Sequence, residues 1–204
     1  MTRVHKRHII ISGFLQNRLL ENGLDRLYME LLRHSTPECQ VDFYDWHSDW
    51  KAIAEFIKRT GPDDYDQFDI RCYTYSWGCG YGFTRLAKYL NKIGIPITVV
   101  VMSDPVYYPG FLKHRALFSF FDPIIKIPEN VNLALTYVQK QNRPRGHQVV
   151  SSRPIVRCLG ELKMTHQYMD DAPQFRMTCL RVAQLDKAGL DEAFVHGRCG
   201  HAII

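Results

Sequence analysis

The segment Cys72-Tyr73-Thr74-Tyr75-Ser76-Trp77-Gly78-Cys79-Gly80-Tyr81-Gly82 carries the sharpest chemical signal in the chain: a strand-like run ends at a serine, and a helical pattern begins after small residues. A serine hydroxyl is a poor nucleophile until a neighbouring base takes its proton and a tight turn pushes it into the open. Such a turn needs small residues two before and two after the serine. Gly78 meets the second requirement and Thr74 stands in for the first, giving Thr-x-Ser-x-Gly. The free N–H groups at the start of the following helix would stabilise an anion developing on a substrate oxygen. His166 is the candidate base. Asp104 is the candidate carboxylate to fix the imidazole tautomer, because it ends the most apolar strand, where an ionised group needs a hydrogen-bonded partner. It follows Ser76 by 28 residues, room for one helix and one strand, so it would emerge beside Ser76.

Plainer roles compete for the same residues. Ser76 could simply cap the helix, and Asp104-Pro105 could start a turn. Asp170 and Asp171 read as helix-start residues rather than as the acid. Cys79, near a helix N-terminus, is a rival nucleophile, but its flanks at 77 and 81 are Trp and Tyr. Gly78, Gly80 and Gly82 lack the lysine and spacing of a phosphate loop, and His196, Cys199 and His201 lack a fourth metal ligand. Neither a metal nor a cofactor is expected.

The elements that must position these residues alternate between β-branched apolar runs and helix-period stretches, the pattern of βα units and a mostly parallel sheet. Strands are predicted at 8–12, 41–44, 68–75 and 97–102, the last with both faces buried. Helices are predicted from Leu20 to Leu32, after an N-cap at Ser48, and around Phe83 to Leu90. Beyond residue 121 the pattern gives an apolar run at 124–127 and a helix carrying Val131, Ala134, Leu135 and Val138. It also gives a last strand at 148–152 and a final helix from Asp171, with Gln174 completing a capping box. No repeat or linker divides residues 1–204, so a single domain is expected.

With these motifs the chain resembles the α/β-hydrolase family. The resemblance rests on the Gly13-Phe14 loop after the first strand, the turn at Ser76, an Asp at a strand end and a late His before the final helix. It implies a single-domain, three-layer α/β-hydrolase-like fold with a mostly parallel central sheet, and an esterase- or lipase-like serine hydrolase. Ser76, Asp104 and His166 keep that family's chain order of nucleophile, acid and base. Asp122 is the alternative acid, since family members also carry it one strand later. By the same resemblance, the oxyanion hole would use the backbone N–H groups of Phe14 and Trp77. The chain is short for this fold, which leaves only 106–121 for a lid and implies an accessible site. Trp46, His47 and Trp50, and then Tyr107, Tyr108 and Phe111, fall in loops at the carboxyl edge of the sheet, where ligands bind. Trp46, Tyr107, Tyr108 and Phe111 are therefore the candidate pocket for an acyl or aromatic group. A non-catalytic binding protein that retains the scaffold is the alternative.

Composition bounds the remaining choices. With 46% hydrophobic and 23% charged residues over 204 positions, the chain can build a large core and has no disordered or fibrous character. No apolar run approaches the roughly 18 residues of a membrane span. Six cysteines without a CxxC pair argue against a disulfide scaffold, and with the absence of a leader pattern they suggest a cytoplasmic protein. The net charge of +5 is spread along the chain, which argues against nucleic acid as a partner and leaves a small-molecule or lipid-like acyl substrate. Oligomeric state is not legible at this level.

Overall fold

The computed structural model describes residues 4–14, 16, 21–64, 67–107, 123–153 and 155–196. Strand β1 (His5–Ile11) is followed by helix α1 (Gly23–Leu32), β2 (Cys39–Tyr44), α2 (Trp50–Thr60) and β3 (Phe68–Tyr75). A π-helical turn, Gly78–Phe83, leads directly into α3 (Thr84–Lys92), and β4 (Val99–Ser103) follows. The remainder comprises β5 (Ile125–Lys126), β6 (Ala134–Val138), β7 (Val149–Val150), β8 (Val156–Glu161), a 3₁₀ turn at His166–Asp171, α4 (Pro173–Gln184) and the short α5 (Lys187–Leu190).

Six strands form one sheet in the order β2-β1-β3-β4-β6-β8, every pairing parallel. Successive connections run one way from β1 to β2 and the other way from β3 onward. The crevice at the carboxyl ends of β1 and β3 is therefore the switch point where ligands bind in open α/β sheets. Strands β3 and β4 are buried along their whole length; β4 accordingly runs apolar without alternation, while β3 buries Asp69 and Arg71 as an ion pair. Side-chain alternation divides the core between the two faces. Ile9, Ile11, Cys72 and Met102 meet Trp50, Ile57, Phe83 and Leu86 of α2 and the α3 region. On the opposite face Ile10, Tyr73, Val101 and Leu135 meet Leu24, Leu27, Phe175 and Val182 of α1 and α4. This is an α/β architecture with helices on both faces. Among the described residues no helix is long and apolar enough to cross a membrane.

The structure departs from the sequence reading in four places. The segment expected to form a helix around Ala134 and Leu135 is β6, because Leu133, Ala134 and Leu135 are all buried, and apolar spacing alone does not separate a buried strand from a helix. Strand β8 was not expected; its half-exposed residues at the sheet edge lack a clear period. The 148–152 strand exists as β7 but pairs with β5 outside the main sheet. Caps differ too. Asp49, not Ser48, caps α2, through Ala52 N–H, and α4 begins at Pro173 with no side-chain cap, so the Asp171/Gln174 capping box does not form. Pro173 at the first turn has no N–H to satisfy. Asn22 and Asp25 form a reciprocal capping box on α1 instead.

Candidate active site

Ser76 follows β3 directly and takes φ of 53°, a left-handed conformation that a non-glycine residue adopts only when its surroundings enforce it. Three hydrogen bonds do so. Ser76 N–H donates to Ser103 O at 3.0 Å, and Ser76 O accepts from Cys79 N at 3.0 Å and from Val106 N at 3.1 Å. The close packing that the turn demands is met at Gly78, where a Cβ would lie 2.5 Å from Ile11 O and 2.6 Å from Ser12 O. At the other small position Thr74 is accommodated because its hydroxyl donates to Cys79 Sγ at 3.0 Å within the core.

The Ser76 hydroxyl lies 2.9 Å from His166 Nε2, and His166 Nδ1 lies 2.5 Å from Asp104 Oδ2. The partners fix the tautomer: Nδ1–H donates to the carboxylate, and Nε2 is left to accept from Ser76. Three residues distant in the chain thus meet in one hydrogen-bonded line. Asp104 is fully buried and follows β4 with φ of 43°, while the His166 side chain keeps 12% exposure. His166 opens the 3₁₀ turn His166–Asp171 and is held from β3. The Tyr75 ring stacks on it at 5.1 Å, and Tyr75 Oη–H donates to His166 O at 2.8 Å.

The sequence reading missed the residues that bracket this line. Gln139, fully buried just after β6, donates its backbone N–H to Asp104 Oδ1 and its side-chain Nε2 to Asp104 Oδ2, both at 3.0 Å. The same amide donates to Asn142 O and Pro144 O and accepts from the N–H groups of Gln141 and Asn142. Asn142 Oδ1 in turn accepts the His166 backbone N–H at 2.7 Å. One loop therefore fixes both the carboxylate and the imidazole. A strand ending at residue 138 would have pointed to Gln139 as a carboxyl-edge residue; the helical reading concealed it.

Asp170 has a structural place and not the helix-start role expected of it. Its buried carboxylate accepts from Gln16 Nε2 at 2.7 Å and from Gly23 N at 3.1 Å, while Gln16 Oε1 accepts from Gly13 N at 2.7 Å. The Gly13-Phe14 loop is thereby tied to the 3₁₀ turn that carries His166. Burial, then the neighbouring Asp171 charge, push the Asp170 carboxyl up to about 6 against the pull of the Gly23 N–H.

No protein-family model and no curated protein sequence matches the chain.

The other expected residues are distributed around the turn. Phe14 and Trp77 approach to 5.7 Å between ring centroids, so the two loops of the expected oxyanion hole are neighbours. Trp46 packs on both, at 5.6 Å from Phe14 and 5.1 Å from Trp77, and reaches Tyr81 at 5.4 Å. Tyr107 lines a cavity along α3 that it shares with Tyr81, and its N–H donates to His147 Nδ1 at 3.0 Å. Tyr108, Phe111, Asp122, most of the 106–121 stretch, Cys199 and His201 lie outside the described residues. Ser76 itself is 2% exposed. Cys79 is fully buried, and burial raises its thiol far above the range in which it ionises, so it is no rival nucleophile.

The arrangement can abstract a proton from the Ser76 hydroxyl and keep the resulting imidazolium beside a buried carboxylate. Those are the requirements of acyl transfer through an alkoxide-like nucleophile.

Proposed function

We propose that the protein is a serine hydrolase that cleaves a carboxylic ester or thioester through an acyl-enzyme, on an α/β-hydrolase-like scaffold. The observation that carries this reading is the Ser76–His166–Asp104 line, with the serine held in a left-handed turn. Ser76 Oγ attacks the substrate carbonyl as His166 Nε2 takes its proton, and the carbonyl electron pair moves onto oxygen. The backbone N–H groups of Trp77 and Phe14 stabilise that oxyanion, each donor contributing about 3 kcal/mol to the transition state. Collapse expels the alcohol or thiol, protonated by His166. Water then repeats the sequence, releasing the acid and returning the proton to Ser76. Asp104 stays ionised throughout and stabilises the imidazolium. Phe14, Trp46 and Trp77 offer the acyl group an aromatic wall. The free thiols of Cys39, Cys72, Cys79, Cys158 and Cys179 suit a cytoplasmic setting.

A fluorophosphonate probe is expected to label the wild type, and Ser76→Ala to abolish labelling. Turnover of short- and medium-chain p-nitrophenyl esters should vanish in His166→Ala. Labelling that survives Ser76→Ala removes the serine from the mechanism. An intact, folded protein that neither labels nor turns over any ester supports a second reading, a binding protein on the same scaffold.

A further inference from the structure

A cavity of about 430 Å³ runs along α3, lined by Tyr81, Arg85, Lys88, Tyr89, Lys92 and Tyr107, with no carboxylate among its described lining residues. Arg85, Lys88 and Lys92 recur at helix spacing on one face, so their charges converge on the same space. Among the described residues none of the three pairs with an acid. Arg85 is instead laid over the Tyr81 ring, its guanidinium carbon 4.2 Å from the centroid, and the Lys92 ammonium sits 5.3 Å from that of Tyr89. A chain with a net charge of only +5 thus gathers three unpaired cations in one concavity, which focuses a positive potential there.

This cavity adjoins the candidate active site through the chain itself. Its Tyr107 wall comes one residue after Val106, whose N–H donates to Ser76 O at 3.1 Å. A Cβ on Gly80 would lie 2.5 Å from Tyr107 Cβ, so that wall is packed against the turn that follows the serine. Tyr81 belongs both to this cavity and to the aromatic cluster with Trp46. An acyl chain suits the aromatic side. An anion suits the α3 side, and for a substrate spanning both, the anion belongs to the leaving group.

We propose that the α3 cavity binds a phosphate group carried on the leaving-group side of the substrate. The inference rests on the hydrolase reading for its place in the reaction, but not for binding itself. Phosphate fits because its oxygens accept from guanidinium and ammonium donors together, with tyrosine faces to pack against the group that bears it.

Binding is tested apart from chemistry by titrating coenzyme A and inorganic phosphate into the wild type, Arg85→Ala/Lys88→Ala and Lys88→Gln/Lys92→Gln. The second pair leaves the Arg85–Tyr81 contact in place, and thermal unfolding of each variant checks its fold. Coenzyme A affinity should fall about tenfold or more in both, the scale of losing a charge-assisted contact, and weaken with salt. In turnover, kcat/KM for butyryl-coenzyme A should exceed that for the neutral butyryl N-acetylcysteamine thioester, and the ratio should collapse in the variants while the neutral substrate is unaffected. A lysophosphatidic acid and monoacylglycerol pair, run alongside, tells whether the phosphate belongs to a soluble thioester or to a lipid. Equal coenzyme A binding by wild type and variants overturns the proposal, as does tighter binding of a short single-stranded oligonucleotide. Phosphate binding without fluorophosphonate labelling sinks the hydrolase reading and leaves the cavity assignment standing; labelling without phosphate preference does the reverse.

Discussion

Gln139 spends its whole hydrogen-bonding capacity on the acid and the loop around it. Two of its donors meet the Asp104 carboxylate, and its carbonyl gathers the backbone that presents Asn142 to His166. Gln139→Ala removes the side-chain donor from Oδ2 and unties the loop in the same step. A hydrogen bond to a charged group contributes about 1.5–3 kcal/mol, so kcat for ester hydrolysis should fall about 10- to 100-fold. KM should barely move, because Gln139 is fully buried beneath the acid and does not face substrate. Fluorophosphonate labelling should slow in parallel. An unchanged labelling rate would mean that Asp104 needs no such bracket. Asn142→Ala tests the other arm: it frees the His166 backbone and leaves the carboxylate bonds intact. Ser76, Asp104 and His166 were legible because each combines a suitable side chain with a strand end or loop. Gln139 and Asn142 were not, because an amide has no chemistry of its own and acts only through the neighbours that folding brings to it.

At the scale of elements, the turn after β3 depends on how closely it can lie against β1. Gly78→Ala would force a Cβ to within 2.5 Å of Ile11 O, and both nearest atoms are backbone, which cannot swing aside as a side chain can. The expected result is a loss of about 2–4 kcal/mol in urea unfolding, in the range of overpacked cores, together with loss of labelling as Ser76 is displaced. Gly160→Ala in β8 is the matched control. A Cβ there meets nothing within 4 Å, so stability should hold or rise by up to about 1 kcal/mol. Equal effects at the two positions would rule out close approach as the reason for Gly78. The sequence announced this turn through Gly78, and it announced β3 over residues 68–75 through its apolar and aromatic residues, although Asp69, Arg71 and Thr74 interrupt them. Strand β6 was concealed because Val131, Ala134, Leu135 and Val138 recur at a spacing that fits a helical stripe as well as a buried strand. Strand β8 failed differently: half-exposed along the edge, it has neither an apolar run nor an alternation to read.

For the whole molecule, two buried titratable groups act on stability in opposite directions. His8 is 3% exposed, with Nδ1 2.9 Å from Tyr73 Oη, and its pKa is lowered to about 3 by burial, then by the Arg71 and Lys6 charges. The unfolded chain binds a proton there below about 6.5 that the native state refuses. Stability from His8 is therefore complete above that value and is lost as pH falls through it, by about 2 kcal/mol between pH 7 and pH 5. Asp170, raised to about 6, works the other way. Over the same range the native state takes up a proton that the unfolded chain still lacks, so acidification from pH 7 to pH 5 adds about 1 kcal/mol. The two contributions largely cancel, and wild-type stability should change little in this window on their account. Single variants break the balance. Relative to wild type, His8→Gln should gain about 2 kcal/mol between pH 7 and pH 5, and Asp170→Asn should lose about 1, read from urea midpoints at each pH. Because each comparison is a difference of differences, the baseline effect of either substitution on packing drops out. Parallel pH profiles for wild type and His8→Gln would show that the imidazole is free to charge in the folded state. That would contradict its burial against the Tyr73 ring of β3.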